Sequence, residues 1–272
     1  MPARGEFAPR TAYEQAGDGP TVVLVHGLGL SRQMWQWQAP VLSEHFRVVR
    51  YDLIGHGESD KPAGPYAMAD FVAQLRDVVD DIGIDDFALV GFSLGGLIAQ
   101  AFTLAHPDRV RAVGILHSAY DRSAAERAAV RARVLLADER GPKAGVESAL
   151  ERWFTPGFAS RCPERLQTVR EWLEANDPNA FAAAYHVLAE ADAELAHALS
   201  DIRCPALVMT GSEDHGNSPQ MAARMAARMP NAECRILPEL RHMALAEDPQ
   251  STLSQLLPFL ANALPPASGS TR

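Results

Sequence analysis

The chain has 272 residues, a net charge of −9 and 47% hydrophobic content, ordinary for one α/β domain carrying an insertion. No Lys/Arg block dominates any segment, which disfavours nucleic-acid binding, because phosphate recognition needs a concentrated basic surface. The three cysteines, Cys162, Cys204 and Cys234, are odd in number and widely spaced, which supports neither a disulfide framework nor a zinc site.

The N-terminal stretch "MPARGEFAPRTAYEQAG" lacks a basic start followed by an apolar core, so no signal peptide is expected. No apolar run approaches membrane-spanning length. The expectation is a cytoplasmic protein that meets a small molecule rather than a membrane or a nucleic acid; the sequence is silent on oligomeric state.

In chain order, "TVVLVHG" (21–27), "FRVVRYDL" (46–53), "FALVGFS" (87–93), "AVGILHS" (112–118) and "ALVMTGSED" (206–214) are near-continuous apolar runs, with "AECRILPEL" (232–240) a weaker sixth. Such runs suit strands buried on both faces, as in a parallel sheet. Between them, residues 68–83 place Phe71, Leu75, Val78, Val79 and Ile82 at helical spacing and stop at Gly83. Residues 94–106 form a second helical stretch ahead of Pro107, and 218–229 a third with a Ser-Pro entry. This alternation predicts a doubly wound, mostly parallel α/β sheet. Residues 119–201 interrupt it with Ala-, Arg- and Glu-rich helical periodicity and no convincing strand. They read as an inserted helical segment between core pieces 1–118 and 202–264, followed by a tail of loop composition, 265–272, expected to be disordered.

The strand-to-helix junction Gly91-Phe92-Ser93-Leu94-Gly95-Gly96 matches G-x-S-x-G in the required context. Ser93 either caps the helix or is held up as a nucleophile, and the two readings differ in the partners they demand. A serine hydroxyl needs a base, a carboxylate behind that base, and donors for the developing oxyanion. Asp214 stands where a later strand gives way to a loop, ahead of rivals Glu213 and Asp121. His242 is the one histidine after the final predicted strand, which gives the chain order Ser, Asp, His. The expected oxyanion donors are the amides of Leu94, after the nucleophile, and Leu28, in the loop after the first long strand, with Gly29 as the alternative to Leu28. His26 and His56 read as loop architecture and His215 as a loop or pocket residue. His45, His106, His117, His186 and His197 show no clear chemical companions, and the histidines lack metal-site spacing.

At this point "VLVHGLG…W" (23–35), "YDLIGHGESDKP" (51–62), "LVGFSLGG" (89–96), "HPDRV" (106–110), "GSED" (211–214) and "RHMALAEDP" (241–249) together resemble the α/β-hydrolase superfamily. The resemblance implies that residues 119–201 form a cap over the site. "ALERWFTPGF" (149–158) is similar to the cap of 3-oxoadipate enol-lactonases and related carboxylester hydrolases. Two departures are Ile54, where an arginine is common before the "GHG" loop, and the acid loop "EDHGNSP", longer by one residue. The implied activity is cleavage of a small ester, enol-lactone or activated amide through an acyl-serine, with no metal and no cofactor. Relatives cleaving an amide-bearing methylenesuccinate or a carbon–carbon bond share the triad, as do cofactor-free haloperoxidase-like members. The rival of another class is a non-catalytic, hydrolase-like binding protein. A serine at position 93 disfavours dehalogenases and epoxide hydrolases, which use an aspartate nucleophile there.

The cap is expected to supply selectivity. Arg152 is the candidate for a substrate carboxylate, Trp153 a pocket aromatic, and Tyr120 and Tyr185 hydrogen-bond donors. The other cap arginines, Arg122, Arg127, Arg131, Arg133, Arg161 and Arg165, read mostly as solvated helix faces.

Overall fold

A computed structural model describes residues 10–265. The expected tail at 265–272 falls, apart from Pro265, outside the described residues. Seven strands form one sheet: β1 (Tyr13–Ala16), β2 (Thr21–Val25), β3 (Arg47–Tyr51), β4 (Phe87–Phe92), β5 (Val110–Leu116), β6 (Ala206–Gly211) and β7 (Ala232–Leu237). Their order is β1-β3-β2-β4-β5-β6-β7, antiparallel at β1 and β3 and parallel elsewhere.

The apolar runs are continuous because both faces of the sheet are covered. Successive side chains point to opposite faces, so Phe87 and Leu89 enter one core while Ala88, Val90 and Phe92 enter the other. β1 escapes sequence reading because it is a four-residue edge strand with mostly exposed side chains, so it shows no apolar alternation.

The helices flanking the sheet are α1 (Met68–Asp81), α2 (Leu94–Ala105), α7 (Pro219–Ala226) and α8 (Pro249–Ala263), numbered with four that intervene. α1 buries Phe71, Leu75, Val78 and Val79 on one stripe, and the chain turns off it at Gly83, whose φ is 67°. α2 is buried on all sides from Leu94 to Thr103, which makes it an interior helix rather than a surface one.

Between β5 and β6 the longer elements are all helical: α3 (Ala124–Arg140), α4 (Val146–Trp153), α5 (Pro163–Glu174) and α6 (Pro178–Leu195). α3 opens on a capping box in which Ser123 and Glu126 satisfy each other's backbone amides. Asp177 caps α6 by accepting from the amides of Asn179 and Ala180. Residues of all four helices line one cavity together with Ser93 and Asp214, which follow the C-terminal ends of β4 and β6, the end at which ligands of open α/β sheets bind. Among the described residues no helix is long and apolar enough to cross a membrane.

Candidate active site

Ser93 leaves β4 with φ 54° and ψ −113°, a region that non-glycine residues rarely occupy. Its side chain makes no capping bond to α2. The turn is locked from both sides, since the Ser93 amide donates to Leu116 O at 2.8 Å and Ser118 Oγ donates to Ser93 O at 2.8 Å. The flanking glycines permit this turn by steric necessity. A Cβ on Gly91 would stand 2.0 Å from Gly95 O, and one on Gly95 would stand 2.3 Å from Val25 O. Both obstacles are backbone and cannot move aside.

Asp214 follows β6 and is buried. Its Oδ2 accepts from His242 Nδ1 at 2.8 Å and from His117 Nδ1 at 3.1 Å. Its Oδ1 accepts from the amides of Gly216 and Asn217 at 3.1 and 3.0 Å, so the acid loop wraps the carboxylate. Burial would raise this carboxyl, but the charge on His242 and the donors from His117 and His242 outweigh it and hold Asp214 far below the usual carboxylate range. Asp121 is exposed and Glu213 faces Arg241 at 3.6 Å, so neither rival stands behind His242.

His117 corrects the sequence reading, which gave it no chemical companion. Its partner is Asp214, and the two meet because β5 and β6 are neighbours in the sheet, with Leu116 opposite Met209. The signal that could have found it is its place directly after a buried strand, beside the strand carrying the acid. His117, Asp214 and His242 bring their ligand-type atoms within 4.8 Å of one another, and the hydrogen bonds to Asp214 account for that closeness. His26 is buried as loop architecture, bonding Gly27 O through Nδ1 and accepting from the Leu53 amide at Nε2. His56 contacts Ile54 O. His186 pairs with Asp138 at 3.1 Å.

Ser93, Asp214 and His242 all line one cavity of about 270 Å³, close to the range typical of small-molecule sites. Leu28, His215, Arg152, Trp153 and Tyr185 line it as well. Leu28 is the second residue of a turn closed by Leu30 N–H on Gly27 O, with Gly29 at φ 74°. The amide of Leu94, first in α2, has no intrahelical acceptor available to it. The Leu94 side chain belongs to the core and is not part of the cavity wall.

The cap residues divide differently from their sequence reading. Tyr120 is packed in the core and does not reach the cavity, so its expected role as a substrate donor is not borne out. Phe154 is buried and stacks on Phe158, leaving Trp153 to face His242 with ring centroids 5.5 Å apart. Arg122 and Arg133 also line the cavity, so neither is a solvated helix face. Arg122 is neutralised by Asp192 at 2.7 Å. Arg133 donates to Tyr185 Oη at 3.1 Å and Arg152 to Ser148 Oγ at 2.9 Å; among the described residues neither is in an ion pair. Burial first, and then the Arg133 charge, push the Arg152 guanidinium below its ordinary value.

This fold and site define the class: residues 20–249 match the family model described as the alpha/beta hydrolase fold, and the chain belongs to that family. Its relatives include a protein of Acinetobacter baylyi described as (E)-2-((N-methylformamido)methylene)succinate hydrolase, 31% identical over 244 residues, covering 89% of this chain and 90% of that protein. The 3-oxoadipate enol-lactonase 2 of the same organism is 29% identical, covering 86% of each. The crystal structure of the enol-lactonase from Burkholderia xenovorans LB400 superposes with a TM-score of 0.87 at 29% identity, covering 93% of this chain and 97% of that one. The relatives are hydrolases of small molecules, and so is this protein's class.

Proposed function

We propose that this chain is a cytoplasmic serine hydrolase that cleaves a small carboxylic ester, enol-lactone or activated amide through an acyl-serine intermediate. The carrying observation is the Asp214–His242 hydrogen bond at 2.8 Å in the cavity that Ser93 enters from a strained, uncapped turn. An ionised carboxylate only accepts, so His242 carries its proton on Nδ1 and offers Nε2 as the basic atom. Ser93 Oγ attacks the carbonyl carbon as His242 Nε2 takes its proton. The tetrahedral oxyanion is received by the amides of Leu94 and Leu28. His242 then protonates the leaving group, water repeats the sequence in reverse roles, and the acid product departs.

The substrate carries a carboxylate in this reading. Arg133 and Arg152 sit in the cavity wall bonded only to neutral groups, and cations lining a cavity without a counterion favour an anionic ligand. The relatives named for a methylenesuccinate and for a 3-oxoadipate enol-lactone fit such a site, and the former keeps amide cleavage as the second reading.

The test is a fluorophosphonate probe together with turnover of small esters. The parent should label at Ser93, and Ser93→Ala should neither label nor retain more than about one part in a hundred of the activity, a loss of about 2.7 kcal/mol in transition-state stabilisation. A folded parent that does not label is a hydrolase-like binding protein instead.

A further inference from the structure

Asp214 is touched by two imidazoles, and only that of His242 faces the cavity. His117 is fully buried, with its amide bonded to Met209 O at 2.7 Å and its backbone at φ 49°. Its ring packs edge-on against His242, centroids 5.7 Å apart at 88°, and lies 5.7 Å from Phe92. Its Nε2 is buried with no hydrogen-bond partner. Leaving a polar atom unmade in this way costs stability, and an apolar ring would fill the same space without that cost. The useful atom is therefore Nδ1, at 3.1 Å from Asp214 Oδ2.

We infer that His117 is a positioning residue for the hydrolytic reaction: a neutral imidazole whose Nδ1–H orients Asp214 and shares the oxygen that holds His242. The inference rests on the serine-hydrolase reading above. Because the Asp214 carboxylate is acceptor-only, the contact requires the proton on Nδ1, which leaves Nε2 bare, as its lack of a partner demands. The charges acting on His117 are those of Asp214 and His242, and burial is the larger influence, keeping the ring neutral. The charged groups of the two loops beside it are the Glu213–Arg241 pair and His215; none is altered in the variants below. An oxygen accepting from two N–H groups binds each less strongly than it would bind one. Sharing Oδ2 therefore divides the pull of the carboxylate between the two rings, and losing the His117 donor should leave more of it on the His242 imidazolium. Sharing also fixes the carboxylate plane without a second residue entering the cavity.

Three variants separate orientation from packing. Asn at 117 tolerates positive φ and sets an amide N–H near the place of Nδ1; Ala removes the donor; Gln keeps the polarity but carries its amide past Asp214. In His117→Ala, kcat should fall about tenfold or more with KM within about threefold. The acid limb of kcat/KM should move to higher pH by about half a unit or more. His117→Asn should restore both to near the parent, while His117→Gln should resemble Ala, so the Asn–Gln contrast decides the matter even if Ala fails to fold by thermal melt. A parent-like kcat and an unmoved limb in folded His117→Ala overturn the inference, as does equal loss in Asn and Gln. Ser93→Ala is assayed alongside. If it retains turnover, the serine-hydrolase reading fails; if it is inactive while the His117 variants behave as parent, only the role of His117 falls.

Discussion

An anion persists in a protein interior only when donors replace the water it has lost, and Asp214 meets that condition with two imidazole and two amide N–H groups. The cavity wall presents the opposite case. Arg122 is matched by Asp192, whereas Arg133 and Arg152 bond only to a phenol and a hydroxyl. Two neighbouring cations left without a counterion disfavour each other, and a substrate carboxylate relieves both. Arg152→Ala and Arg133→Ala should each reduce kcat/KM for carboxylate-bearing esters by about 10- to 150-fold, the loss of one charge-assisted bond at roughly 1.5–3 kcal/mol. Neutral esters of equal size should change by less than about threefold, and equal losses on both classes of ester would remove the anion-binding role. Ser93, Asp214 and His242 were within reach of sequence reading because each stands where a strand ends and a recognisable residue pattern begins. Arg133 and His117 were not. The first depends on which way α3 turns its faces, and the second on β5 and β6 being neighbours, and neither relation is written in local spacing.

At the scale of elements, the segments that carry Trp153 and His242 are fastened together across the cap–core seam. Met243 N–H donates to Trp153 O at 2.9 Å, and Arg241 Nη1 donates to Glu151 O and Phe154 O at 2.8 and 3.0 Å. Glu247, whose side chain is only 4% exposed, accepts from the Thr155 amide at 3.0 Å, from the Thr155 hydroxyl and from Arg161 at 3.1 Å. The cap aromatic and the basic side chain are thus positioned by one bonded unit, although about 90 residues of chain separate them. Glu247→Gln keeps the volume, turns an N–H2 toward donors and removes the charge, at a cost of roughly 1.5–3 kcal/mol. For a domain of this size that corresponds to a fall in Tm of about 3–12 °C. A thermal melt checks it, and a shift under about 1 °C would mean that the seam bears no load. The core strands were legible because burial on both faces forces unbroken apolar runs, and the cap was legible as helical from its periodicity. The seam was not, since its bonds are mostly side chain to backbone and fall between residues with no shared pattern.

Across the whole molecule, acid tolerance is set by histidines that fold in the neutral form. His26 uses both ring nitrogens, Nδ1 on Gly27 O and Nε2 accepting from Leu53 N–H at 2.9 Å, so a second proton would break the bond that ties β2 to the loop after β3. His56 lies 5.3 Å from it, centroid to centroid, fully buried. Burial first pushes His26 down to about 4 and His56 down to about 3, with the charge each would place near the other opposing protonation of His56 as well. In the unfolded chain both take up a proton near pH 6.5. Between that value and about 4 the unfolded state holds more protons, so stability is full above pH 6.5 and declines as the pH falls. At pH 5 each ring costs about 2 kcal/mol, an upper figure. The depressed carboxyls of Asp214 and Glu14 act below their ordinary range and lie outside this window. A net charge of −9 shrinks as the pH nears the pI of about 5.5, which relieves self-repulsion and works the other way. That relief is spread over the exposed surface and screened within about 10 Å at 0.1 M salt, so the buried rings prevail. Melts at fixed ionic strength should therefore show Tm falling by about 8–16 °C between pH 7.5 and pH 5. A Tm that is flat or rising over that interval would mean that both rings accept protons in the folded chain without disturbing the loop bonds they make.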